Sequence, residues 1–358
     1  MERIIGLLDL DYFYAQAEQL RDPSLKGKPV VIVMPSLREN SGAVATCNYE
    51  ARAMKIRSGM PLNLAKKLAS PQTVFINADK PYYEEVSQKV FEVVDFYCDK
   101  VEQVSIDEAY FDLSNPSGFE KAEEVCKKIK NSILVDTGLT CSVGLGPNKL
   151  LAKMACAVKK PNGFFSIHPM QADGFMAKQK VGDIYGVGPK AEEIFKFHKV
   201  HLAADIRKHS KEELIQWFGV AKGTELHNFA FGVDERQIEI NREKQQLSRM
   251  ITLKEDSNDF SFIQPTISFL SEMVFNETQH LKKRFKTASL IIVTPSFETI
   301  TRSKTKTTGI SSLVDLAELE EALLKEFLLG SFSKVRRLGV RVSNFDENSG
   351  MQKKLFEF

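Results

Sequence analysis

The feature that most constrains this chain is a strand-like segment, VEQVSIDEAYFDL at residues 101–113, which carries two adjacent carboxylates in its middle. Successive side chains of a strand point to opposite faces, so one acid of a straight strand would enter the core. A buried carboxylate is costly unless a cation or a donor offsets it. The segment therefore predicts either a solvated loop pair or a tight hairpin that aims Asp107 and Glu108 at one target. Their apolar neighbours favour the hairpin.

A third carboxylate, Asp9, ends the apolar run RIIGLLDLD, and Asp11 follows two positions later. One interpretation is that Asp9 or Asp11 caps a helix beginning at Tyr12, a common role for Asp. The other is that Asp9 joins Asp107 and Glu108. Carboxylates from two strand ends suit Mg²⁺, and two such ions roughly 3.5–4 Å apart hold the attacking and leaving oxygens of a phosphoryl transfer.

The composition indicates a globular protein of several domains. Its 358 residues exceed the usual size of a single core, while 43% hydrophobic and 27% charged residues are ordinary values. The net charge is only +2, so any nucleic-acid surface must come from local patches. Five scattered cysteines without a C-x-x-C pair predict reduced thiols, no zinc site and a cytoplasmic setting. No apolar run is long enough for a membrane span, and the start does not resemble a secretory signal.

The chain changes character along its length. The first half alternates strand-like and helix-like segments, up to a helix NKLLAKMACAVKK that PNG ends. Residues 168–232 predict short helices. The polar stretch VDERQIEINREKQQ then lacks an apolar period, which predicts a linker. The last part predicts strand, helix, two strands, helix and strand, followed by a charged tail.

Two short motifs suit phosphate groups. ATCNYEARAMKIRSGMP places Tyr49 and Arg52 three apart on one helix face, where an Arg fork near a helix N-terminus can hold a triphosphate. The alternative is an ordinary exposed helix face. GVGPK at 186–190 could offer backbone N–H groups with Lys190 beside them, although such turns more often simply link helices.

Basic residues alternate on two strands of the last part. In TRSKTKT, Arg302, Lys304 and Lys306 are expected to share one strand face. Arg337 and Arg341 of VRRLGVR repeat this arrangement. We therefore expect a sheet that is apolar on one side and basic on the other, as suits binding along a phosphate backbone.

Five motifs, in this order and spacing, resemble the Y-family DNA polymerases and their lesion-bypass, DNA polymerase IV-like branch: DLDYFYAQAEQ, GAVATCNYEAR, SIDEAYFDL, SVGLGPNKLLAKMACAVKKPNG and VRRLGVR. The resemblance implies an α+β right-hand polymerase with an antiparallel-sheet palm, small fingers, a helical thumb with a helix-hairpin-helix, and a βαββαβ-type little finger. The implied boundaries are palm 1–10 and 78–166, fingers 11–77, thumb 167–233, linker 234–246, little finger 247–345 and tail 346–358.

The activity that the resemblance implies is translesion synthesis, by template-directed transfer of dNTPs to a primer 3′-OH with two Mg²⁺ ions. Motif position implies catalytic, metal-binding carboxylates at Asp9, Asp107 and Glu108, with the backbone carbonyl of Leu10 as a further metal ligand. Tyr14 falls on the steric gate that rejects a ribose 2′-OH. The other implied nucleotide contacts are Tyr12, Phe13, Thr46, Tyr49, Arg52 and Lys160. The implied DNA contacts are Gly186, Gly188, Lys190, Arg302, Lys304, Arg336, Arg337 and Arg341.

The tail QKKLFEF resembles a sliding-clamp binding peptide anchored by Gln352, Leu355 and Phe358, although it lacks paired terminal aromatics. A disordered amphipathic end is the alternative. The implied partners are primer–template DNA, dNTP and the clamp, with no membrane, for a cytoplasmic monomer. The rival functions are another palm-type two-metal phosphotransferase, such as a nucleotidyl cyclase, and a non-catalytic clamp-tethered DNA-binding scaffold.

Overall fold

The computed structural model describes residues 3–38, 41–114, 118–240 and 243–346. The strands in these ranges are β1 (Ile5–Leu10), β2 (Val30–Pro35), β3 (Gly42–Cys47), β4 (Val74–Asn77), β5 (Val101–Gln103), β6 (Glu108–Asp112), β7 (Cys141–Gly146), β8 (Phe164–Ser166), β9 (Gln246–Ser257), β10 (Phe285–Val293), β11 (Thr299–Ile310) and β12 (Val335–Phe345). The helices are α1 (Phe13–Arg21), α2 (Tyr49–Ala53), α3 (Leu62–Leu68), α4 (Lys80–Tyr97), α5 (Phe119–Thr137), α6 (Lys149–Val158), α7 (Pro169–Ala177), α8 (Pro189–Phe197), α9 (Ala203–Ile206), α10 (Lys211–Phe218), α11 (Val220–Ala230), α12 (Phe260–His280) and α13 (Leu313–Gly330). No helix of the described ranges is long and apolar enough to cross a membrane.

The chain forms two compact units. The first comprises Met1–Ile32, Ala45–Gly59 and Leu68–Arg242. The second comprises Val33–Val44, Met60–Lys67 and Glu243–Phe358. The strands of the implied little finger therefore belong to the second unit, together with parts of the implied fingers.

A five-stranded sheet in the first unit has the order β5-β6-β1-β7-β8. The central strand β1 runs antiparallel to both neighbours. Leu8 and Leu10 join the core formed with α4 and α5 on one face. Ile5 and Leu7 of the same strand pack against α6 on the other face. Strand alternation therefore assigns Asp9 to the face that α6 covers.

Short helices follow this sheet, as the sequence predicts for residues 168–232. They are α7 to α11, and their shared core includes Phe195, Leu214 and Leu226. Gly186, just before α8, has φ +85°, and a Cβ there would lie 2.8 Å from Lys222 Nζ. The positive φ therefore favours glycine at this turn, whereas Lys222 Nζ, as the end of a flexible side chain, can move aside.

The first part of the predicted linker lies against the first unit. The Asp234 carboxylate accepts a hydrogen bond from the Leu150 N–H at 2.9 Å, at the start of α6. Ile238 packs on the apolar cluster beneath α6. The Glu102 carboxylate accepts from the Glu239 N–H at 2.7 Å. Residues 234–240 are thus held by hydrogen bonds at Asp234 and Glu239 and by the apolar side chain of Ile238, which explains why they show no apolar period.

The second unit contains a four-stranded antiparallel sheet with the order β11-β10-β12-β9. Its element order, β9-α12-β10-β11-α13-β12, confirms the predicted βαββαβ arrangement. Leu290 and Ile292 of β10 and Leu338 and Val340 of β12 are buried in the core formed with the two helices.

The expectation of a single basic face on this sheet is wrong for β11. Arg302 is the direct partner of Leu290, and Lys304 that of Ala288. Both partners belong to the helix-covered core, and direct antiparallel partners share a face. Arg302 and Lys304 therefore point to the helix side, where Lys304 Nζ lies 4.0 Å from the Glu326 carboxylate on α13.

The basic residues of β12 point the other way. Arg337 pairs with Val293, and Arg341 pairs with Ser289, which are out of phase with Leu290 on β10. Arg337 and Arg341 therefore lie on the open face. A sequence shows which side chains of one strand share a face. Which face of the sheet they occupy depends on the register with the neighbouring strand.

Candidate active site

Two adjacent strands bring the carboxylates together. Asp9 and Glu108 are direct partners in the antiparallel pairing of β1 with β6, so their side chains share the face that α6 covers. Asp107 lies in the bend before β6, and its carbonyl accepts from the Leu10 N–H at 2.8 Å. The Asp107 side chain accepts from Ser105 Oγ at 2.5 Å. The geometry thus places three acids at one end of the sheet.

The hairpin predicted at these acids is confirmed. β5 pairs antiparallel with β6 as far as Gln103 and Ala109. The N–H groups of Val104 and Ser105 both donate to the Glu108 carbonyl, at 3.0 and 3.2 Å. This tight connection resolves the conflict with strand alternation, because Asp107 belongs to the turn and Glu108 begins the next strand.

Two lysines contact the carboxylates. Lys153 Nζ of α6 lies 3.2 Å from Asp9 Oδ2 and also contacts Glu108 Oε2. Lys160 Nζ contacts the other oxygen of Asp9. The donor types, carboxylate and carbonyl oxygens, fit a hard divalent cation. In the described part of the chain, however, no three His, Cys, Asp or Glu side chains are arranged so that they would hold one metal ion together.

The protonation of this cluster reflects burial and charge. Burial raises the pKa of Glu108, although the Lys153 ammonium opposes that shift. Burial lowers the pKa of Lys153, but the Asp9 and Glu108 carboxylates outweigh it, so the pKa of Lys153 is raised overall. Lys153 is therefore a persistent positive charge beside these acids.

A cavity of about 300 Å³ adjoins the acids. It brings together all the metal and nucleotide residues implied by the resemblance except Glu108. These residues are Asp9, Leu10, Tyr12, Phe13, Tyr14, Thr46, Tyr49, Arg52, Asp107 and Lys160. Ala45, Ser58 and Ile106 also line it. Residues far apart in sequence thus converge on one space beside the carboxylates.

The turn between β1 and α1 shapes one wall of the cavity. Tyr12 precedes α1 in a left-handed conformation, φ 38° and ψ 45°, which is uncommon for a non-glycine residue. No side chain caps α1, so the interpretation that Asp9 or Asp11 does so is wrong. Asp11 is instead buried, and accepts from Ser142 Oγ at 2.8 Å and the Asn162 N–H at 2.7 Å. It ties the end of β1 to the loop that carries Lys160.

Aromatic rings support the implied steric gate. The Tyr14 ring stacks on the Tyr83 ring with a centroid distance of 4.3 Å and an interplanar angle of 16°. Tyr83 is fully buried, and its hydroxyl donates to Glu18 Oε1 at 2.8 Å. Tyr83 therefore backs the ring of Tyr14.

The predicted proximity of Tyr49 and Arg52 on α2 is confirmed. The Arg52 guanidinium carbon lies 4.9 Å from the centroid of the Tyr49 ring. Arg52 Nε donates to the Cys47 carbonyl at 3.1 Å. The Tyr12 ring meets the Tyr49 ring edge-on, with centroids 5.4 Å apart. These contacts keep a guanidinium and two phenol rings at the cavity.

None of the implied DNA contacts is among the residues that line the cavity. Gly188 is the N-cap of α8, and Lys190 in its first turn is exposed. Arg336 lies over the Phe297 ring, 4.9 Å from its centroid, and 3.8 Å from the Asp256 carboxylate. Arg341 Nε is buried without a hydrogen-bond partner among the described residues. The clamp anchors Gln352, Leu355 and Phe358 lie outside the described residues.

Sequence reasoning missed three residues of the site. Lys153 lies in an amphipathic helix, where a lysine is expected to be solvated, and Tyr83 lies in a helix with an ordinary apolar pattern. For Asp11 the sequence suggests only the role of a helix cap. The sequence offers one signal for Lys153: it follows Lys149 by four residues, so both lysines share one face of α6.

Comparison with known proteins agrees with this geometry. The family model described as the impB/mucB/samB family matches residues 8–157, and the model of its C-terminal domain matches residues 244–355. A DNA polymerase IV of Methanosarcina acetivorans is 36% identical over 367 residues, covering 100% of each chain. A Y-family DNA polymerase chimera of Dbh and Dpo4 has a TM-score of 0.90 at 32% identity, covering 95% of this chain and 98% of the chimera. An insertion ternary complex of Dbh DNA polymerase has a TM-score of 0.70 at 32% identity, with the same coverage.

The fold and the family that it matches define a template-directed nucleotidyltransferase. The chain belongs to the impB/mucB/samB family of Y-family DNA polymerases, and it is a DNA-directed DNA polymerase of the lesion-bypass type. Polymerases of this family depend on metal ions.

Proposed function

We propose that Asp9, Asp107 and Glu108, with the Leu10 carbonyl, bind two Mg²⁺ ions for nucleotidyl transfer from a dNTP to a primer 3′-OH. The observation that carries this proposal is the direct pairing of Asp9 with Glu108 beside the cavity that Asp107 lines. Such ions, when bound, lower the pKa of the attacking hydroxyl and neutralise the leaving pyrophosphate. The protein contributes the paired strands that hold Asp9 beside Glu108, and the turn that carries Asp107.

The cavity is proposed to hold the incoming dNTP. Arg52, Tyr49, Thr46 and Lys160 supply cationic and hydroxyl groups for the triphosphate, and the backbone N–H groups at the start of α1 add donors. Lys160 would exchange its contact with Asp9 for one with a phosphate. Tyr14 would lie against the sugar, where a ribose 2′-OH would meet its ring.

We propose one DNA contact in each unit: the turn at Gly186 and Gly188 in the first, and the open face of the sheet in the second. Arg337 and Arg341 lie on that face, whereas Arg302 and Lys304 lie on the helix side. We therefore regard Arg337 and Arg341 as the better-placed phosphate contacts. Similar solved structures include ternary complexes of Dbh, one of which is described with its substrates, and we propose DNA and nucleotide as the partners of this chain.

The remaining partners are proposed from the sequence. The tail motif supports binding to a sliding clamp through Gln352, Leu355 and Phe358. The five cysteines are free and buried, which is consistent with a reducing cytoplasmic setting. We propose a monomer, since one chain carries all three acids and the cavity.

The test is single-nucleotide incorporation on four primer–templates that differ only in the templating base. The proposed function predicts that the incorporated base follows the template and that Mg²⁺ is required. A nucleotidyl cyclase would release pyrophosphate from a free nucleotide without any primer. A scaffold would bind the DNA and release none.

A further inference from the structure

Lys153 lies between the two carboxylates that pair across β1 and β6. Its Nζ is 3.2 Å from Asp9 Oδ2 and also contacts Glu108 Oε2. One ammonium group thus bridges two acids from neighbouring strands, as a metal ion shared by them would. The proposed roles in nucleotide or DNA binding do not include this lysine.

The position of Lys153 is fixed by the packing of α6. Ala152 and Cys156 on this helix are buried against the sheet. At the start of α6, Asn148 Oδ1 accepts from the Leu151 N–H at 2.9 Å, and Asp234 accepts from the Leu150 N–H. The helix is therefore held firmly at its first turn and along its apolar face, and its backbone keeps Lys153 beside the acids.

The two lysines of the cluster differ in surroundings. Lys160 lies beyond the end of α6 and lines the cavity, so an incoming triphosphate offers it another anionic partner. Lys153 does not line the cavity, and its carboxylate contacts are Asp9 and Glu108. A cation that takes the Asp9 and Glu108 oxygens must therefore displace the ammonium of Lys153 directly.

We propose that Lys153 is a resident counter-ion of the metal site that competes with divalent cations for Asp9 and Glu108. This inference rests on the proposed metal site. An ammonium and a divalent cation repel each other strongly when both approach the same oxygens in a partly buried site. Divalent cations are therefore bound weakly until Lys153 moves aside, and Lys153 stabilises the folded protein while they are absent.

The test is a Mn²⁺ titration of the full chain, without DNA or nucleotide, followed by electron paramagnetic resonance of free Mn²⁺. Lys153→Met removes the competing charge and keeps most of the side-chain volume. We expect it to bind Mn²⁺ roughly tenfold more tightly than the original chain, a typical size for coupling between two ligands. Equal or weaker binding would overturn the proposal.

Two control variants separate charge from packing. Lys153→Arg keeps the charge and should bind Mn²⁺ as weakly as the original chain. Lys159→Met removes an exposed lysine at the end of α6 and should leave Mn²⁺ affinity unchanged. If either control tightens Mn²⁺ binding as much as Lys153→Met, competition by the Lys153 ammonium is not the cause, and the proposal fails.

Thermal melting gives a second readout. In EDTA, Lys153→Met and Lys153→Gln should have a lower Tm than the original chain, because Asp9 and Glu108 then repel each other. Addition of Mn²⁺ should raise the Tm of both variants more than that of the original chain. Equal Tm gains in all three would contradict the proposal. Asp9→Asn tests the metal site itself. If this variant still binds Mn²⁺, the proposed metal site is refuted. If it does not, the metal site stands, and the Lys153 variants then test the inference about Lys153 separately.

Discussion

At the scale of single residues, the site depends on side chains that support others. Tyr83 backs Tyr14, Asp11 anchors the loop of Lys160, and Lys153 balances two acids. Each of these residues is partly or fully buried, so its contribution comes from geometry and from charges that water and salt screen only weakly.

Replacing Tyr83 with Leu should weaken sugar discrimination. The stacked pair contributes about 0.5–1.5 kcal/mol beyond burial, so freeing the Tyr14 ring should raise ribonucleotide incorporation roughly two- to tenfold relative to dNTP. Incorporation of a matched rNTP and dNTP by the same preparation measures this ratio. Tyr83→Phe keeps the ring and serves as the control. An unchanged ratio in Tyr83→Leu would show that Tyr14 is positioned without its neighbour.

Glu320 of α13 should make the second unit less stable as the pH rises. Its side chain is buried, and burial raises its pKa from the usual 4.5 to about 8. Because the folded-state pKa is raised, the stabilising effect of the proton is complete below pH 4.5 and is lost progressively as the pH rises to about 8. The loss should reach a few kcal/mol, since one pKa unit corresponds to about 1.4 kcal/mol.

Urea unfolding between pH 5 and pH 9 measures this dependence. Glu320→Gln should flatten the pH dependence and raise the free energy of unfolding at pH 8. Glu318→Gln, at an exposed position on the same helix, should retain the original profile. A flat profile in the original chain would mean that Glu320 finds a compensating partner when ionised.

At the scale of elements, α6 connects the site to the segment after α11. Asp234→Ala removes the acceptor of the Leu150 N–H and the ion pair with Arg236. Leaving a buried donor unpaired should lower the free energy of unfolding of the first unit by about 1–3 kcal/mol, and should speed proteolysis within residues 233–240. Limited proteolysis with peptide mapping checks this, with the exposed Glu235→Ala as control. Equal cleavage rates would show that Asp234 does not anchor the segment.

The two faces of the second unit's sheet should contribute differently to DNA affinity. If the open face meets the phosphate backbone, Arg341→Ala should weaken primer–template binding and reduce the salt slope by about 1, whereas Lys304→Ala should change neither. Fluorescence anisotropy over a series of salt concentrations measures both quantities. A larger effect of Lys304→Ala would place the DNA against β11 and the helix side.

These elements also show how far a sequence can predict such a fold. The hairpin at Asp107 was predictable because adjacent acids between apolar residues conflict with alternation. The convergence of Asp9, Tyr49 and Lys160 followed from the resemblance of whole motifs. The faces of Arg302 and Arg341 were not predictable, since register is a property of strand pairs. Lys153 was missed because its partners lie on two strands distant in the sequence.

At the scale of the whole molecule, the chemistry and the basic sheet belong to different units. The three acids, the cavity and both lysines lie in the first unit, and the basic open face lies in the second. Each unit has its own core. We therefore expect substitutions at the three acids to change catalysis without changing DNA affinity.

The most direct test compares primer extension and DNA binding by Asp107→Ala with those by Asp136→Ala, an exposed acid on α5. We expect Asp107→Ala to slow template-directed incorporation by about 10²-fold or more, the size of effect seen when one key electrostatic group is removed. Primer–template affinity should stay within about twofold. Asp136→Ala should match the original chain in both measurements. Full incorporation by Asp107→Ala would contradict the assignment of the catalytic acids.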